Sequence, residues 1–205
     1  MCGTPEDVYE RPASRFVASF MGTSNLVPGT FVAAFAAAAH ELRTGPPDEP
    51  DTDYGPLNSA AQLASVQGLL SRLPSHAEVV TGGTAMERPG WFHSPTVVAG
   101  VRQSDEIVQE EIFGPVVTVQ SFTDETEALR LANGVRFGLA ASVWTADHAR
   151  AMRATRALHT GIVWVNTHGT TVSEMPHGGV KHSGYGSDLS LAGLLDYTQV
   201  KHVTL

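Results

Sequence analysis

Gln109-Glu110-Glu111-Ile112-Phe113-Gly114-Pro115-Val116 sits at the centre of the chain and joins two patterned stretches. Two acids lead into an aromatic residue and a Gly-Pro pair. The run 115–122 that follows is β-rich. Asp124, with Glu127 three residues on, has the form of a capping box and predicts a helix to about Ala132. Asn133-Gly134 should end that helix through a left-handed residue. Downstream, 139–145 reads as strand, 146–158 as helix, 162–165 as strand, 169–186 as a glycine-rich loop and 197–204 as a terminal strand. Upstream, Thr30 is a plausible cap for a helix over 31–43 that stops at Gly45-Pro46-Pro47, because proline cannot continue the ladder. Asn58 can cap a second helix over 59–73, ended by Pro74, with strands at 77–80 and 96–101. Strands alternating with helices predict an α/β class and a mainly parallel sheet flanked by helices.

A chain of 205 residues can bury a substantial core and is one domain, at most two. Net charge of −8 argues against a nucleic-acid or anionic-membrane surface, since both need clustered Lys and Arg. No run of about 18 apolar residues predicts a membrane span, and the start lacks the pattern of a secretory signal. The single cysteine, Cys2, excludes an internal disulfide framework and fits a cytoplasmic protein. His168, His177 and His182 share one loop, but their spacings match no zinc pattern, so no metal is expected. No phosphate-cradling glycine motif opens a helix after a strand.

From about residue 30 to the end, an ordered set of segments resembles the aldehyde dehydrogenases downstream of their nucleophile. The set comprises Phe31-Val32, Tyr54-Gly55-Pro56-Leu57, Gly90-Trp91-Phe92 before Pro95-Thr96, and Glu110-Glu111-Ile112-Phe113-Gly114-Pro115. It continues with Ala132-Asn133, Phe137-Gly138-Leu139-Ala140-Ala141, Val163-Trp164-Val165-Asn166, Pro176-His177-Gly178-Gly179, Lys181-His182-Ser183-Gly184 and Tyr197-Thr198. The resemblance implies a partial aldehyde dehydrogenase catalytic domain over 30–205, with a C-terminal oligomerisation-type strand that pairs across subunits. It implies NAD as cofactor: the Glu111 carboxylate would accept hydrogen bonds from the nicotinamide-side ribose hydroxyls, and Phe113 would pack against the nicotinamide end. An ionised carboxylate holds two hydroxyl donors strongly. Away from its neighbours, Glu111 would read only as a solvated loop acid.

The stretch from Val165 through His168, then Ser173 to Gly179 and Ser183 to Ser190, resembles the γ-aminobutyraldehyde and betaine-aldehyde group. Trp164, Asn166, Glu174 and His177 are then candidate substrate-pocket residues. Trp164 would meet a cationic aminoaldehyde by cation–π contact, and Glu174 would add negative charge. Trp164 reads equally well as a core tryptophan on a buried strand.

The family's covalent mechanism needs a cysteine thiolate and a glutamate base. By resemblance the cysteine belongs roughly sixteen residues before Phe31, where Arg15 lies instead. Cys2, near a chain terminus, is a poor substitute. No catalytic residue is assigned, and negligible activity is expected of this chain alone. Residues 1–29, with Gly3-Thr4-Pro5, Val8-Tyr9, Phe16-Val17-Ala18-Ser19-Phe20-Met21-Gly22 and Asn25-Leu26, resemble the ATP-binding subunits of spermidine/putrescine-type transporters after their ATPase domain. A fusion of two polyamine genes is one expectation; sequencing the locus tests it. A non-catalytic assembly fragment, pairing with a full-length dehydrogenase as a homo- or hetero-oligomer, and a transporter-associated regulatory fragment are the alternatives.

Overall fold

The computed structural model describes residues 25–26 and 31–205. Cys2, Arg15, most of the transporter-like lead and the Thr30 cap lie outside the described residues. The chain divides into two compact units between Val135 and Arg136.

The first unit holds β1 (Asn25–Leu26), α1 (Phe31–His40), α2 (Ala60–Ser71), β2 (Glu78–Thr81), β3 (Thr96–Ala99), α3 (Glu106–Gln109), β4 (Val116–Gln120) and α4 (Glu125–Asn133). The sheet order is β1-β4-β3-β2. β4 runs parallel to both β1 and β3, and β2 is antiparallel to β3. β3 reads Thr-Val-Val-Ala and is buried over Thr96, Val97 and Val98, as a strand covered on both faces should be. Successive side chains go to opposite faces. Val97 joins Phe35, Ala39 and Val119, while Val98 joins Val66, Ile107, Val108 and Val116. Hence α1 packs on one face of the sheet and α2 with α3 on the other.

Local chemistry sets the helix ends and corrects several expectations. Ser59, not Asn58, caps α2: its hydroxyl accepts the Gln62 N–H at 3.1 Å. α1 ends at His40 rather than Arg43, because the Asp53 carboxylate captures the Arg43 N–H at 2.8 Å and takes it out of the ladder. At α4, Asp124 accepts the Glu127 N–H at 2.8 Å, and Glu127 returns to the Thr123 N–H at 2.8 Å. Gly134 ends α4 at φ −80, so the left-handed exit expected there is absent. Gln103 and Gln109 instead hold that end, donating to Leu131 O at 3.1 Å and Gly134 O at 2.9 Å.

The second unit contains β5 (Phe137–Gly138), β6 (Ala140–Val143), α5 (His148–Ala157), β7 (Ile162–Val165), β8 (Val180–Lys181) and α6 (Ser190–Asp196). β6 and β7 are parallel, joined through α5; β5 and β8 are antiparallel. Asp147 caps α5 by accepting the Arg150 N–H at 3.1 Å. Gly161 is obligatory: a Cβ there would lie 1.7 Å from Gly178 O.

The terminal strand expected over 197–204 does not form. Helix α6 precedes it, and no strand is assigned beyond Asp196. A lone extended segment leaves its N–H and C=O groups to water, and only a partner edge makes it a strand. Among the described residues no helix is long and apolar enough to cross a membrane, and no cluster of three His, Cys, Asp or Glu side chains is arranged for a metal.

Candidate cofactor and substrate sites

The loop between α3 and β4 carries Glu111 and Phe113, both exposed; Phe113 is 71 % accessible. Its backbone φ is 50, in the left-handed region. A bulky side chain there is an outlier, costing about 1–2 kcal/mol, and such strain collects at functional sites. Two grips hold the loop. The Gln62 side-chain amide donates to Ile112 O at 2.8 Å and to Phe113 O at 3.1 Å. Gly114 lies so close to α2 that a Cβ would meet Val66 Cγ2 at 2.7 Å. Gln62 and Val66 are four residues apart and share one helix face.

The preceding helix α3 is itself anchored. Arg72, at the end of α2, donates to both Glu106 carboxylate oxygens at 2.9 and 2.8 Å. His76 meets Asp105 at 2.9 Å, and Asp105 also accepts the Arg102 N–H at 2.7 Å. Burial raises the Asp105 carboxyl, but the Arg102 N–H and the His76 contact outweigh it and hold the group below its ordinary value. An acid and an aromatic ring are thus presented to solvent by a braced turn. That arrangement suits a carboxylate acceptor for paired hydroxyls beside a stacking surface.

In the second unit, Trp164 lies half-buried on β7, paired in register with Ser142 of β6. Its indole N–H donates to Thr170 O at 2.7 Å, and the His168 ring stands edge-on with centroids 4.9 Å apart. Ser142 hydrogen-bonds His168 Nδ1, and burial holds the His168 imidazole below its ordinary pKa. Asn166, at φ 52, uses its side chain as a local backbone mimic: Oδ1 accepts Thr145 N–H at 2.9 Å and Nδ2 donates to Thr145 O at 3.0 Å. Its amide therefore positions the β6 and β7 ends. Glu174 sits exposed between β7 and β8. His177 is half-buried and exchanges backbone hydrogen bonds with Asp188 at 2.8 and 2.7 Å, beside a depression of about 390 Å³ that also touches Leu139 and Tyr197.

The structure brings Glu111 and Phe113 together on one loop and clusters Trp164 with His168. It ties His177 to Asp188 and leaves Glu174 on an exposed segment. A larger depression of about 550 Å³, beside Arg43 and Met86, contains none of these residues. Gln62 and Ser142 escaped the sequence reading, and His168 enters it only as a candidate metal ligand and as part of the subgroup stretch. Gln62 falls on the same helix face as Val66, but its reach to residues 112 and 113 is a contact across about 50 positions. Such a contact has no local signature.

Parallel strands covered by helices, with an acid and an aromatic ring on the loop before a strand, define an α/β architecture. Comparison with known proteins then identifies the lineage. The model of the aldehyde dehydrogenase family matches residues 24–203, and the chain belongs to that family. Betaine aldehyde dehydrogenases from two Cereibacter sphaeroides strains are each 42 % identical over 174 residues, 84 % of this chain and 36 % of theirs. A betaine aldehyde dehydrogenase point mutant from Staphylococcus aureus, in complex with NAD+, superposes with a TM-score of 0.84 at 34 % identity, covering 88 % of this chain and 39 % of that one. An aldehyde dehydrogenase from Bacillus cereus gives a TM-score of 0.84 at 35 % identity, covering 87 % of this chain and 38 % of its own. The chain spans about a third of the length of the curated relatives it matches.

Proposed function

We propose that this chain supplies the nicotinamide-ribose wall of an NAD site, through Glu111 and Phe113, and the substrate-facing strand of a cationic-aldehyde dehydrogenase. The observation that carries the reading is the exposed, left-handed Phe113 beside exposed Glu111 on a loop gripped by Gln62. Glu111 would accept the ribose hydroxyls and Phe113 would cover the nicotinamide edge. When bound, NAD takes up the hydride of aldehyde oxidation. Trp164, with Asn166, Glu174 and His177 on the following segments, would favour an aminoaldehyde or trimethylammonium aldehyde; the likeness to betaine aldehyde dehydrogenases supports that substrate class.

By itself the chain would not turn over. Its one cysteine is Cys2, and the thioester chemistry needs a thiolate fixed within about 0.5 Å of its productive place. The assay is NADH formation by purified chain with NAD and either γ-aminobutyraldehyde or betaine aldehyde. No turnover above background is expected, and an ordinary enzymatic rate would overturn the incompleteness. Titrating NAD while following backbone amide resonances tests the cofactor wall: shifts should be confined to residues 111–114, and their absence would remove it.

A second reading, a non-catalytic piece that pairs with a full-length dehydrogenase, draws support from the exposed C-terminal residues Tyr197, Val200, Val203 and Leu205, at 86, 94, 68 and 118 % accessibility. Pairing would bury this edge and convert it to strand. Co-purification with such an enzyme would favour it, and a monodisperse monomer in the enzyme's presence would defeat it. A cytoplasmic setting, a boundary near residue 30 and a transporter-derived lead belong to the same proposal, on the single cysteine and the two resemblances.

A further inference from the structure

We infer that Gln62 is a positioning residue whose side-chain amide holds Phe113 in its left-handed conformation, and so fixes where the ring and the Glu111 carboxylate point. The inference rests on the cofactor reading of that loop. Its basis is the donor pattern at one strained residue. Carbonyl oxygens only accept, so both short contacts place the Gln62 NH2 group between Ile112 O and Phe113 O, at 2.8 and 3.1 Å. Those two carbonyls flank the rotatable bonds of Phe113, and φ there is 50. At 71 % accessibility, the Phe113 ring is held little by burial, so the conformation must be held through the backbone. The clamp is itself built in: the Gln62 N–H bonds to the Ser59 cap, which starts α2, and one turn later Val66, 0 % accessible, backs Gly114. A fork with two donors is the feature Gln supplies here. Glu has the same shape but only accepts when ionised.

The test uses the 205-residue chain and nuclear magnetic resonance. Backbone carbon shifts and cross-correlated relaxation report the sign of φ, which a merely structural helix residue would not alter. In Gln62→Glu, Phe113 should lose its positive-φ signature, while Val97, Val98 and Val119 keep their wild-type shifts. Retention of positive φ at Phe113 in that variant overturns the clamp. Should Gln62→Glu not fold, Gln62→Ala carries the same expectation in a good helix former. The unaltered chain tests it too: slow water exchange of the Gln62 side-chain amide protons is expected, and free exchange overturns the assignment. NAD titration separates the two claims. A wild-type loop that ignores NAD, with a Phe113 conformation that collapses in Gln62→Glu, leaves the clamp and removes the cofactor role. A loop that shifts with NAD in both proteins, with positive φ retained, removes the clamp alone.

Discussion

Replacing Gly114 with alanine should destabilise the first unit through a single collision. Gly114 is not among the left-handed residues, so alanine meets no backbone penalty there. The cost is steric: the new Cβ would stand 2.7 Å from Val66 Cγ2, with Leu57 Cδ2 at 3.6 Å. Carbon atoms rest at about 3.5–4.0 Å, so one partner must retreat by about 1 Å. Val66 has nowhere to go: it is 0 % accessible and packed among Val98, Ile107, Val108 and Val116. Overpacking of this kind costs about 1–3 kcal/mol, and for a unit ending at Val135, larger than the 60–100-residue scale, each kcal/mol lowers the melting temperature by about 3–5 °C.

A double-mutant cycle isolates the cause. Val66→Ala removes the colliding γ-carbons and by itself costs about 2 kcal/mol in lost burial and cavity. In the pair, the alanine at 114 partly fills the space left at 66, so the double variant should be more stable than the summed singles by about 1–2 kcal/mol. Because the chain has two units, a global melt mixes their transitions. Native-state amide exchange at Val97 and Val98, in the buried strand of the first unit, reads the right one. Additivity within about 0.5 kcal/mol, or a neutral Gly114→Ala, would show that the loop is not seated on α2 as described.

Phe113→Gly should leave the first unit as stable as before or about 0.5 kcal/mol more stable in chemical denaturation, because relief of left-handed strain slightly exceeds the added chain entropy of glycine. A loss above about 1 kcal/mol would mean that the ring packs in the folded state. His93 sets an acid limit. The Ser94 carbonyl can only accept, so Nδ1 carries the proton in that 2.8 Å contact, and Nε2 accepts from Gln67 at 2.8 Å. Burial holds the imidazole below its ordinary value, so the stabilisation is present above about pH 6.5 and is lost as pH falls toward the lowered folded value. Urea midpoints between pH 8 and 5, on the order of the usual titration range, should fall in wild type and flatten in His93→Gln; equal slopes refute the assignment. Asn166→Ala removes two hydrogen bonds to the Thr145 backbone and leaves a Cβ residue at φ 52, for a loss of about 1–2 kcal/mol. Asn166→Gly keeps the first loss and relieves the second, so a thermal melt should place it above alanine.

Regularity near in sequence was legible; capture from a distance was not. The β7 strand over 162–165 was placed to the residue by its apolar run, and Asp124 with Glu127 marked the start of α4. The errors share one physical origin. Arg43 leaves α1 because a carboxylate ten residues on competes for its N–H. Gly134 stays right-handed because glutamine amides at 103 and 109 take up the last carbonyls of α4, making a left-handed exit unnecessary. The expected C-terminal strand has no partner edge among the described residues, and α6, the preceding seven-residue helix, lacks the longer repeat that reveals helices by pattern. At the candidate site, the motif put forward Glu111 and Phe113 as candidates. It gave no hint that a residue some fifty positions earlier shapes their loop, or that Asn166 spends its amide on Thr145.

The two groups of candidate residues are built by different means. In the first unit the candidate loop is strained, exposed and held from outside by α2: an amide fork at Gln62 and a buried valine behind Gly114. In the second unit the Trp164 cluster is held locally, by strand register with Ser142 and by hydrogen bonds within six residues of the indole. A braced, strained loop favours a geometry that a ligand uses without further ordering, which lowers the entropic cost of binding. A locally satisfied tryptophan offers a wall whose position depends on little else. Function in the first unit should therefore be lost by substitutions on α2 that touch no ligand. Loss in the second should track residues adjoining the indole itself. A scan over Gln62, Val66, Ser142 and His168, read by NAD-induced shifts at residues 111–114, separates these cases. Only the first two should move that readout, and a response to Ser142→Ala would contradict the separation.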